Sequence, residues 1–434
     1  MITPKAPNTR LRQILEESAW SANDLACALR VTAAEIGVQL GYDRTTVAHW
    51  LTGTTPRPPV PELLAETFTR RLRRPVGVSE LGFCGPTVVG LARPGPPPWV
   101  SHPDPQEAVA VLQSLLESGL GAVRSPSRVP YRVPGIPAAT VPTQRRLPSA
   151  LASRARRVGQ VQVHALADLV TAAARQYDCY AGPPTRSLLA SYLDQQVLQW
   201  LRAPSSDRVH RDLLGHAASL MRIMARTHID DRDHGRAAQC LHLSARLADE
   251  ASSPLLRGLA ERDLATQATR LGHHRTGAAL AEAALRDTRI APPGVRAYAL
   301  SQHAVSLAHL ANASSAHQAL ARAEALIADA DADGFDRYPL PALRYQQAQT
   351  HIALGDRAKA LSLLQASLRL RPPHEYRTSL ITRLEIVTLE LEAGHYQLAR
   401  SLYKETLASH LSLTSCTIDA TLASLHRRLH LAHY

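Results

Sequence analysis

The 434 residues exceed what one hydrophobic core can hold, and an apolar content of 45% with only 4% aromatic residues predicts two or three domains of packed helices. A formal net charge of +12 favours a polyanionic partner, and nucleic acid is the first candidate. Almost all basic residues are arginine, which indicates a genomic bias in amino-acid usage, so the many arginines count only in part as evidence for nucleic-acid binding. The five cysteines are scattered, which argues against a disulfide framework and a zinc knuckle. No run of roughly 18 apolar residues occurs, which argues against a membrane span. Together these features predict a cytoplasmic protein.

The first predicted domain is a helical block over residues 8–83. Its most specific stretch runs from Ala34 to Gly53, where we expect a first helix from Ala34 to Leu40 with Ile36 and Leu40 facing inward. Gly41 would supply the positive φ of a tight turn, and Asp43 would cap a second helix. The first helix could instead be a longer run beginning at Ala22, which leaves the second helix unchanged.

On the second helix an apolar stripe of Val47, Trp50 and Leu51 is expected to be buried. Four residues then share the opposite face: Arg44, Thr45, Ala48 and His49. The order G-x-D-R-T-T-V-x-x-W-L-x-G resembles a lambda-repressor/Cro-type helix-turn-helix, which implies that base contacts come from these four positions. An ordinary amphipathic helix is the weaker interpretation, and Trp50 is interpreted as a core anchor.

Each of the four side chains suits a major groove in its own way. The Arg44 guanidinium matches guanine O6 and N7, and Thr45 can bond a base or offer its methyl group to thymine. Ala48 permits close approach, and His49 can donate to guanine or to a phosphate. The predicted base contacts are therefore Arg44, Thr45, Ala48 and His49.

Phosphate contacts are predicted around this helix. Thr46 and the N-terminal amides could hold a phosphate at the positive end of the helix dipole. Arginines further along complete the set of phosphate candidates: Arg57, Arg70 and Arg71, with Arg73 and Arg74 beside them. For the run from Arg70 to Arg74, an ordinary solvated helix end is an equally good explanation.

Residues 84–148 are rich in proline and glycine and are predicted to form a linker, because lost N–H donors and fixed φ angles prevent long helices. One short helix is expected within it. This helix follows Asp104 and ends near Ser118, with Ala108, Leu112 and Leu115 about one turn apart.

From residue 149 to 434 the pattern is helical, and helices recur in pairs. The pair junctions fall at Asp233, Gly272, Ala311, Gly355 and Gly394, a period of about forty residues. Taking each junction as origin, the positions seven before and five and twelve after hold mostly small residues: Arg226/Ala238/Ala245, Ala265/Gly277/Ala284, Ala304/Ala316/Ala323, Ala348/Ala360/Ser367 and Val387/Ala399/Thr406. Small residues are needed where two antiparallel helices cross closely.

This spacing resembles the tetratricopeptide repeat, and the best copy is Gly355-Asp-Arg-Ala-Lys-Ala-Leu361 with Pro372 closing its second helix. The period is longer than usual, and Ala or Leu mostly replaces the consensus aromatic residues. The predicted fold class is therefore all-α: a small helix-turn-helix domain, a Pro/Gly-rich linker and a tetratricopeptide-like α-solenoid.

Metal-capable side chains cluster at His228-Ile-Asp-Asp-Arg-Asp-His234 and at His426, His430 and His433. The first cluster falls at a repeat junction, and a chain with 20 histidines produces such neighbours by chance, so we expect no metal and no cofactor. No phosphate-binding glycine loop, nucleophile elbow or H-E-x-x-H motif occurs, and we do not expect an enzyme.

The domain order resembles actinobacterial regulators that join a Cro-type domain to tetratricopeptide-like repeats, which implies a transcriptional repressor. We expect double-stranded DNA as the partner and a homodimer that contacts half-sites one or two helical turns apart, about 34–70 Å. The repeats would supply the dimer contact or a groove for a peptide, protein or small effector. The alternative is a protein–protein adaptor without specific DNA binding.

Overall fold

The computed structural model describes residues 6–83, 107–122, 129–134, 157–180, 182–328, 338–409, 413 and 415–431. These residues form helices and connecting loops with no strand, which confirms the predicted all-α class. In this described part, none of the helices is long and apolar enough to cross a membrane.

The N-terminal domain consists of four helices, α1 (Thr9–Glu17), α2 (Ala22–Glu35), α3 (Arg44–Leu51) and α4 (Val60–Leu72). Asn8 caps α1 by accepting from the Leu11 amide, and Ser21 forms a reciprocal capping box with Asp24 at the start of α2. The four helices share one core, which includes Leu11, Leu25, Leu29, Ile36, Val47, Trp50, Leu63 and Phe68. The predicted helical block therefore has a hydrophobic interior of its own.

A short helix, α5 (Glu107–Glu117), lies where the sequence predicts one inside the proline-rich region. The remaining helices begin with α6 (Gln160–Tyr180) and α7 (Gly182–Tyr192), which continues through a π-helical turn at residues 193–197 into α8 (Leu198–Arg202). Antiparallel pairs follow: α9 (Asp207–Asp230) with α10 (His234–Glu250), α11 (Pro254–Arg270) with α12 (His274–Asp287), α13 (Pro293–Ala308) with α14 (Ala313–Ala328), α15 (Leu340–Ala353) with α16 (Arg357–Leu370), and α17 (Tyr376–Glu392) with α18 (Tyr396–Ser409). A last helix, α19 (Cys416–Leu431), packs on α17 and α18.

The turns inside these pairs have a left-handed residue at one repeated position. The φ angles are 59° at Arg232, 85° at Gly272, 59° at Ala311, 83° at Gly355 and 84° at Gly394. A left-handed residue lets the chain reverse directly after a helix, and glycine adopts this conformation without a Cβ penalty. The predicted junctions are confirmed, except that the first lies at Arg232 and not at Asp233.

This one-residue difference corrects the small-residue columns of the first pair. Counting from Arg232, the column positions hold Ala225, Ala237 and Ser244, all fully buried. The predicted Arg226, Ala238 and Ala245 were wrong by one position. In the later pairs the predicted columns hold, with Ala265, Ala284, Ala304, Ala316, Ala323, Ala348, Ala360, Ser367, Val387 and Ala399 all buried to 0% exposure.

Two described parts of the predicted linker are packed parts of the fold. Helix α5 lies against α8 and α10, with Ala108 and Leu112 fully buried. Residues 129–134 lie against the start of α10, so closely that a Cβ at Gly235 would collide with the Val129 carbonyl. Helix α5 is the short helix predicted in this region, and both stretches pack against other helices. The rest of residues 84–148 lies outside the described residues.

The helical array closes on itself, because its last helices contact its first ones. Helix α17 packs against α6, and α19 packs against α9. At the closure, Arg377 of α17 forms a 2.5 Å ion pair with Asp230 at the end of α9. The Ser415 hydroxyl donates to the same carboxylate at 2.9 Å, and Thr417 donates to the Asp230 carbonyl at 2.8 Å.

Candidate nucleic-acid interface

Helix α3 begins where the sequence predicts, because Asp43 caps it. The Asp43 carboxylate accepts from the Thr46 amide at 2.9 Å and from the Thr46 hydroxyl at 3.0 Å, and these bonds lower the pKa of Asp43. An anion therefore already occupies the positive end of the α3 dipole. This corrects the expectation for Thr46, whose amide and hydroxyl are both engaged by Asp43 and not free for a phosphate.

The predicted apolar stripe of α3 faces the core. Val47 is fully buried, Leu51 is half-buried, and Trp50 is 3% exposed, with its ring edge-on to Tyr42 at 5.3 Å. Trp50 is therefore a core anchor, as expected. Because the stripe fixes the rotation of α3 about its axis, it also decides which side chains point outward.

The outward side of α3 carries the four predicted base-contacting residues, which we call the α3 face: Arg44, Thr45, Ala48 and His49. All four are exposed. Helix α3 packs on α1 and α2 on its other side. The structure thus brings these four residues together on one exposed, convex helix surface of two turns.

The helix before α3 is the longer alternative, from Ala22 to Glu35, so the shorter prediction from Ala34 to Leu40 was wrong. Ile36 is buried as expected, but it follows the helix as its C-cap. The left-handed residue is Gly37, with φ of 70°, and not Gly41. The connection to α3 covers residues 36–43 and is longer than the roughly 3–4 residues of a plain helix-turn-helix.

A further arginine lies beside this connection and was missed in the sequence. Arg30 is exposed on α2, and its guanidinium donates to the Tyr42 carbonyl at 2.6 Å, directly before α3. This hydrogen bond holds the Arg30 guanidinium beside the N-terminal end of α3. Arg30 lies before the Ala34–Gly53 segment that carries the helix-turn-helix resemblance, so its position beside α3 becomes visible only when α2 is seen to begin at Ala22.

The predicted phosphate arginines differ in availability. Arg57 is exposed in the loop before α4. Arg71 is also exposed, although its Nε donates to the Ser18 carbonyl and its guanidinium lies over the Trp20 ring at 5.4 Å. Arg74 is held by carboxylates of Glu17 and Glu80. Arg57 and Arg71 therefore stay predictions.

Arg70 does not fit a phosphate contact. Its guanidinium donates to both Glu35 oxygens at 2.8 and 2.7 Å, to Glu66 at 2.8 Å and to the Tyr131 carbonyl at 2.6 Å. These bonds use its donors inside the protein, with the side chain only 16% exposed. Arg70 is thus a structural residue. Its partner Glu66 lies one helical turn before it, but Glu35 and Tyr131 lie 35 and 61 positions away in sequence, where no local pattern shows them.

These contacts belong to an interdomain junction that we define by Glu35, Arg70, Tyr131 and His273. His273, in the turn between α11 and α12, lies 3.1 Å from Glu35 through its Nε2. The Tyr131 ring stacks on the His273 ring at 5.5 Å and is fully buried. The junction contacts the C-terminal ends of α2 and α4, so it holds the N-terminal domain while leaving the α3 face exposed.

Charge is spread over the whole chain and does not concentrate on the N-terminal domain. Residues 6–83 contain nine arginines and eight acidic residues. Several of these acids are paired internally, since Glu35 and Glu66 bind Arg70 and both Glu17 and Glu80 bind Arg74. Affinity for DNA would therefore depend on where the exposed arginines lie and not on a strongly basic domain.

The His228–His234 cluster has a structural explanation. Its aspartates pair with arginines: Asp231 with Arg186 at 2.5 Å, Asp233 with Arg236 at 3.7 Å, and Asp230 with Arg377. Burial lowers the pKa of His228 well below its ordinary value. Among the described residues, no group of three or more His, Cys, Asp or Glu side chains is arranged to hold a metal ion. His433 of the second cluster lies outside the described residues.

Comparison with protein families gives a match at the N-terminal domain. Residues 11–84 match the family model described as the SP15 N-terminal domain. The match begins in α1 and ends directly after the last core residue of the four-helix domain, Phe83. No curated protein matches the chain.

Proposed function

We propose that this protein is a cytoplasmic, sequence-specific DNA-binding regulator, with a repressor as the first expectation. The observation that carries the proposal is the α3 face, where Arg44, Thr45, Ala48 and His49 share one exposed surface on a short helix whose opposite side is locked into the core. A guanidinium at the first helical position and an imidazole five residues later suit base edges in a major groove.

Helices α2 and α3 would act as a Cro-type helix-turn-helix with a lengthened connection. Arg30 and Arg57 would then contact the phosphates on either side, which fixes the register of α3 without reading sequence. The α3 face alone is small for tight and specific binding, so we propose a homodimer on two half-sites.

The helix pairs would act as a tetratricopeptide-like effector or dimerisation domain. Their small-residue crossings and left-handed turns at intervals of about forty residues support this assignment. The junction through Glu35 and His273 gives this domain a direct mechanical contact with the helix that precedes α3.

DNA selection from a random library tests the proposal. The intact wild type is compared with an Arg44→Ala/His49→Ala variant at physiological salt, and Arg286→Ala, an exposed arginine on α12, is the matched control. We expect wild type and control to enrich the same inverted-repeat motif and the double variant to lose it. Enrichment by all three alike, or by none, would refute specific reading through α3.

The nearly balanced charge of residues 6–83 favours a second candidate, a protein–protein adaptor built on the helix pairs. In that case the N-terminal domain would dock a protein, and any DNA binding would be weak and unspecific. The slope of log K against log salt separates the two candidates, since each phosphate contact in a DNA complex adds about 0.9 to it.

A further inference from the structure

A cluster of arginines and tyrosines lies where the closed helical array faces its own interior. We call it the inner cluster: Tyr177 of α6, Arg222 and Arg226 of α9, Arg262 and Asp263 of α11, Tyr298 of α13, Tyr338 before α15, and Arg377 of α17. These residues come from helices far apart in the chain, and each one touches another member. The DNA-reading proposal makes no use of them.

Three guanidinium groups share a single carboxylate in this cluster. Asp263 is contacted by Arg222 at 2.9 Å, by Arg262 at 3.3 Å and by Arg226 at 3.9 Å. Burial alone would raise the pKa of Asp263, but these arginines lower it to about 2, so the carboxylate stays ionised. One negative charge therefore faces three positive ones in a partly desolvated place.

Nearby groups do not balance this excess. Asp230 is bound by Arg377, Ser415 and Thr417 at the closure of the array. Asp178 also lies near Arg226, and burial raises the pKa of its carboxyl. Even with this carboxylate ionised, the four arginines of the cluster face three aspartates, Asp178, Asp230 and Asp263. A positive excess that is partly removed from water is costly unless an anion compensates it.

Two features show which donors are available. Arg226 has the long 3.9 Å contact to Asp263, and its side chain is 37% exposed, compared with 12% for Arg222 and 7% for Arg262. In addition, the Nε of Arg262 is buried without a hydrogen-bond partner. An oxyanion placed beside Arg226 would meet one exposed guanidinium and a second one with an unused donor nearby.

Aromatic rings line the same place. The Arg262 guanidinium lies 3.7 Å from the centre of the Tyr298 ring, and the Tyr298 and Tyr338 rings are 5.2 Å apart. On the other side, Tyr177 packs under Arg377 at 4.7 Å and donates to the Arg226 carbonyl at 3.1 Å. Tyr177 and Tyr338 are buried, whereas Tyr298 is half-buried, so Tyr298 is the ring that the body of an organic ligand could contact.

The closure of the array indicates the size of the ligand. Helices α17 and α19 contact α6 and α9 directly, and Arg226 stays half-buried beside this closure. A half-buried guanidinium suits a small molecule better than a folded protein, which needs a broad open face.

We propose that the inner cluster is a binding site for a small organic anion, with Arg226 as its main anchor and Arg222 and Arg262 as supporting charges. The ligand carries a carboxylate or phosphate group, and its body packs beside Tyr298. Its role as the effector of a regulator rests on the proposed function, whereas binding itself does not.

Isothermal titration of the full-length protein with pyrophosphate and with citrate, without DNA and at constant ionic strength, tests the proposal. We expect saturable binding of at least one probe, and the two probes distinguish phosphate from carboxylate chemistry. Arg226→Gln should weaken binding about 10- to 100-fold, as expected for the loss of a charge-assisted bond. Arg226→Lys, which keeps the charge, should lose less.

Arg286→Gln on α12 is the matched control, and it should bind like wild type. Equal weakening by Arg226→Gln and Arg286→Gln would show a general surface effect and overturn the proposal. The proposal would also be overturned if neither pyrophosphate nor citrate binds the wild type saturably. Loss of binding in Arg44→Ala would place the anion at the α3 face and also overturn it. DNA selection by Arg226→Gln stays like wild type if only the anion site fails, which separates this result from failure of the proposed function.

Discussion

Replacing Glu35 by glutamine should loosen the contact between the two domains. The Glu35 carboxylate binds both Arg70 of the N-terminal domain and His273 of the helical array. Glutamine has nearly the same shape but no charge, and its amide group would face the donors of Arg70 or His273. Residues 129–134, which lie between the domains through Tyr131, should then separate more often from His273.

The size of the effect follows from the contacts that remain. Removing one partner of a buried ion pair costs about 3–5 kcal/mol, because the other charge stays buried. Arg70 keeps Glu66 and the Tyr131 carbonyl, so we expect about 2–3 kcal/mol for Glu35→Gln, which corresponds to about a 30- to 150-fold higher opening equilibrium.

Hydrogen exchange measured by mass spectrometry reports this opening. Peptides that contain residues 129–134 and the turn at Gly272 and His273 should lose protection in Glu35→Gln by about this factor. The matched control is Glu17→Gln, which makes the same change at an exposed ion pair with Arg74 in the same domain. It should leave both peptides unchanged.

The pH dependence gives a second readout. Burial would raise the pKa of Glu35, but the bonds from His273 and Arg70 outweigh it, and the net pKa is lowered. The stabilisation is thus fully present above the unfolded-state pKa of about 4.3 and is lost as pH falls through the lower folded value. The melting temperatures of wild type and Glu35→Gln should therefore converge in acid. Unchanged exchange at His273, with lost protection confined to α2, would refute the junction as a link between domains.

Three further predictions concern stability. Trp50→Ala removes a core anchor that fixes α3 and should cost about 3–5 kcal/mol in urea unfolding followed by circular dichroism, whereas Thr45→Ala on the exposed face should change little. Ala348→Leu forces a large side chain into a helix crossing and should cost about 1–3 kcal/mol in the same assay, and wild-type stability would contradict close packing there. Burial lowers the pKa of His242 to about 3, so the free energy of unfolding should fall as pH drops from about 6.5 toward 3. His242→Gln should reduce the slope of this free energy against pH by about 1.4 kcal/mol per pH unit. An unchanged slope would show that His242 is not held neutral by burial.

Local patterns in the sequence were sufficient for the helices and most of their junctions. The turns at Gly272, Gly355 and Gly394 are predictable because glycine marks a left-handed residue, and the cap at Asp43 is predictable from its spacing to Thr46. The first junction was placed one residue late because an arginine, Arg232, adopts the left-handed conformation there. No local rule favours arginine at such a position.

The functional assignments that changed depend on contacts between distant residues. Arg70 looks like a solvated helix end, and only the fold brings Glu35 and Tyr131 to it. The one-residue shift at Arg232 likewise moves Arg226 out of a helix crossing, where a small residue is required, and toward the inner cluster. Sequence periodicity identifies which residues face inward, but it does not show which distant side chains meet there.

Helix α11 runs from the inner cluster to the interdomain junction. Arg262 and Asp263 lie in its middle, and its C-terminal end leads through Gly272 into His273, which contacts Glu35 and Tyr131. About 10 Å of helix separates Asp263 from Arg270, so a shift of α11 caused by an anion would move His273 relative to α2. Coupling between two binding sites is reciprocal. If the anion changes the affinity of the protein for DNA by some factor, then DNA must change the affinity of the protein for the anion by the same factor. Glu35→Gln should remove this coupling while leaving anion binding intact, because Glu35 lies outside the inner cluster.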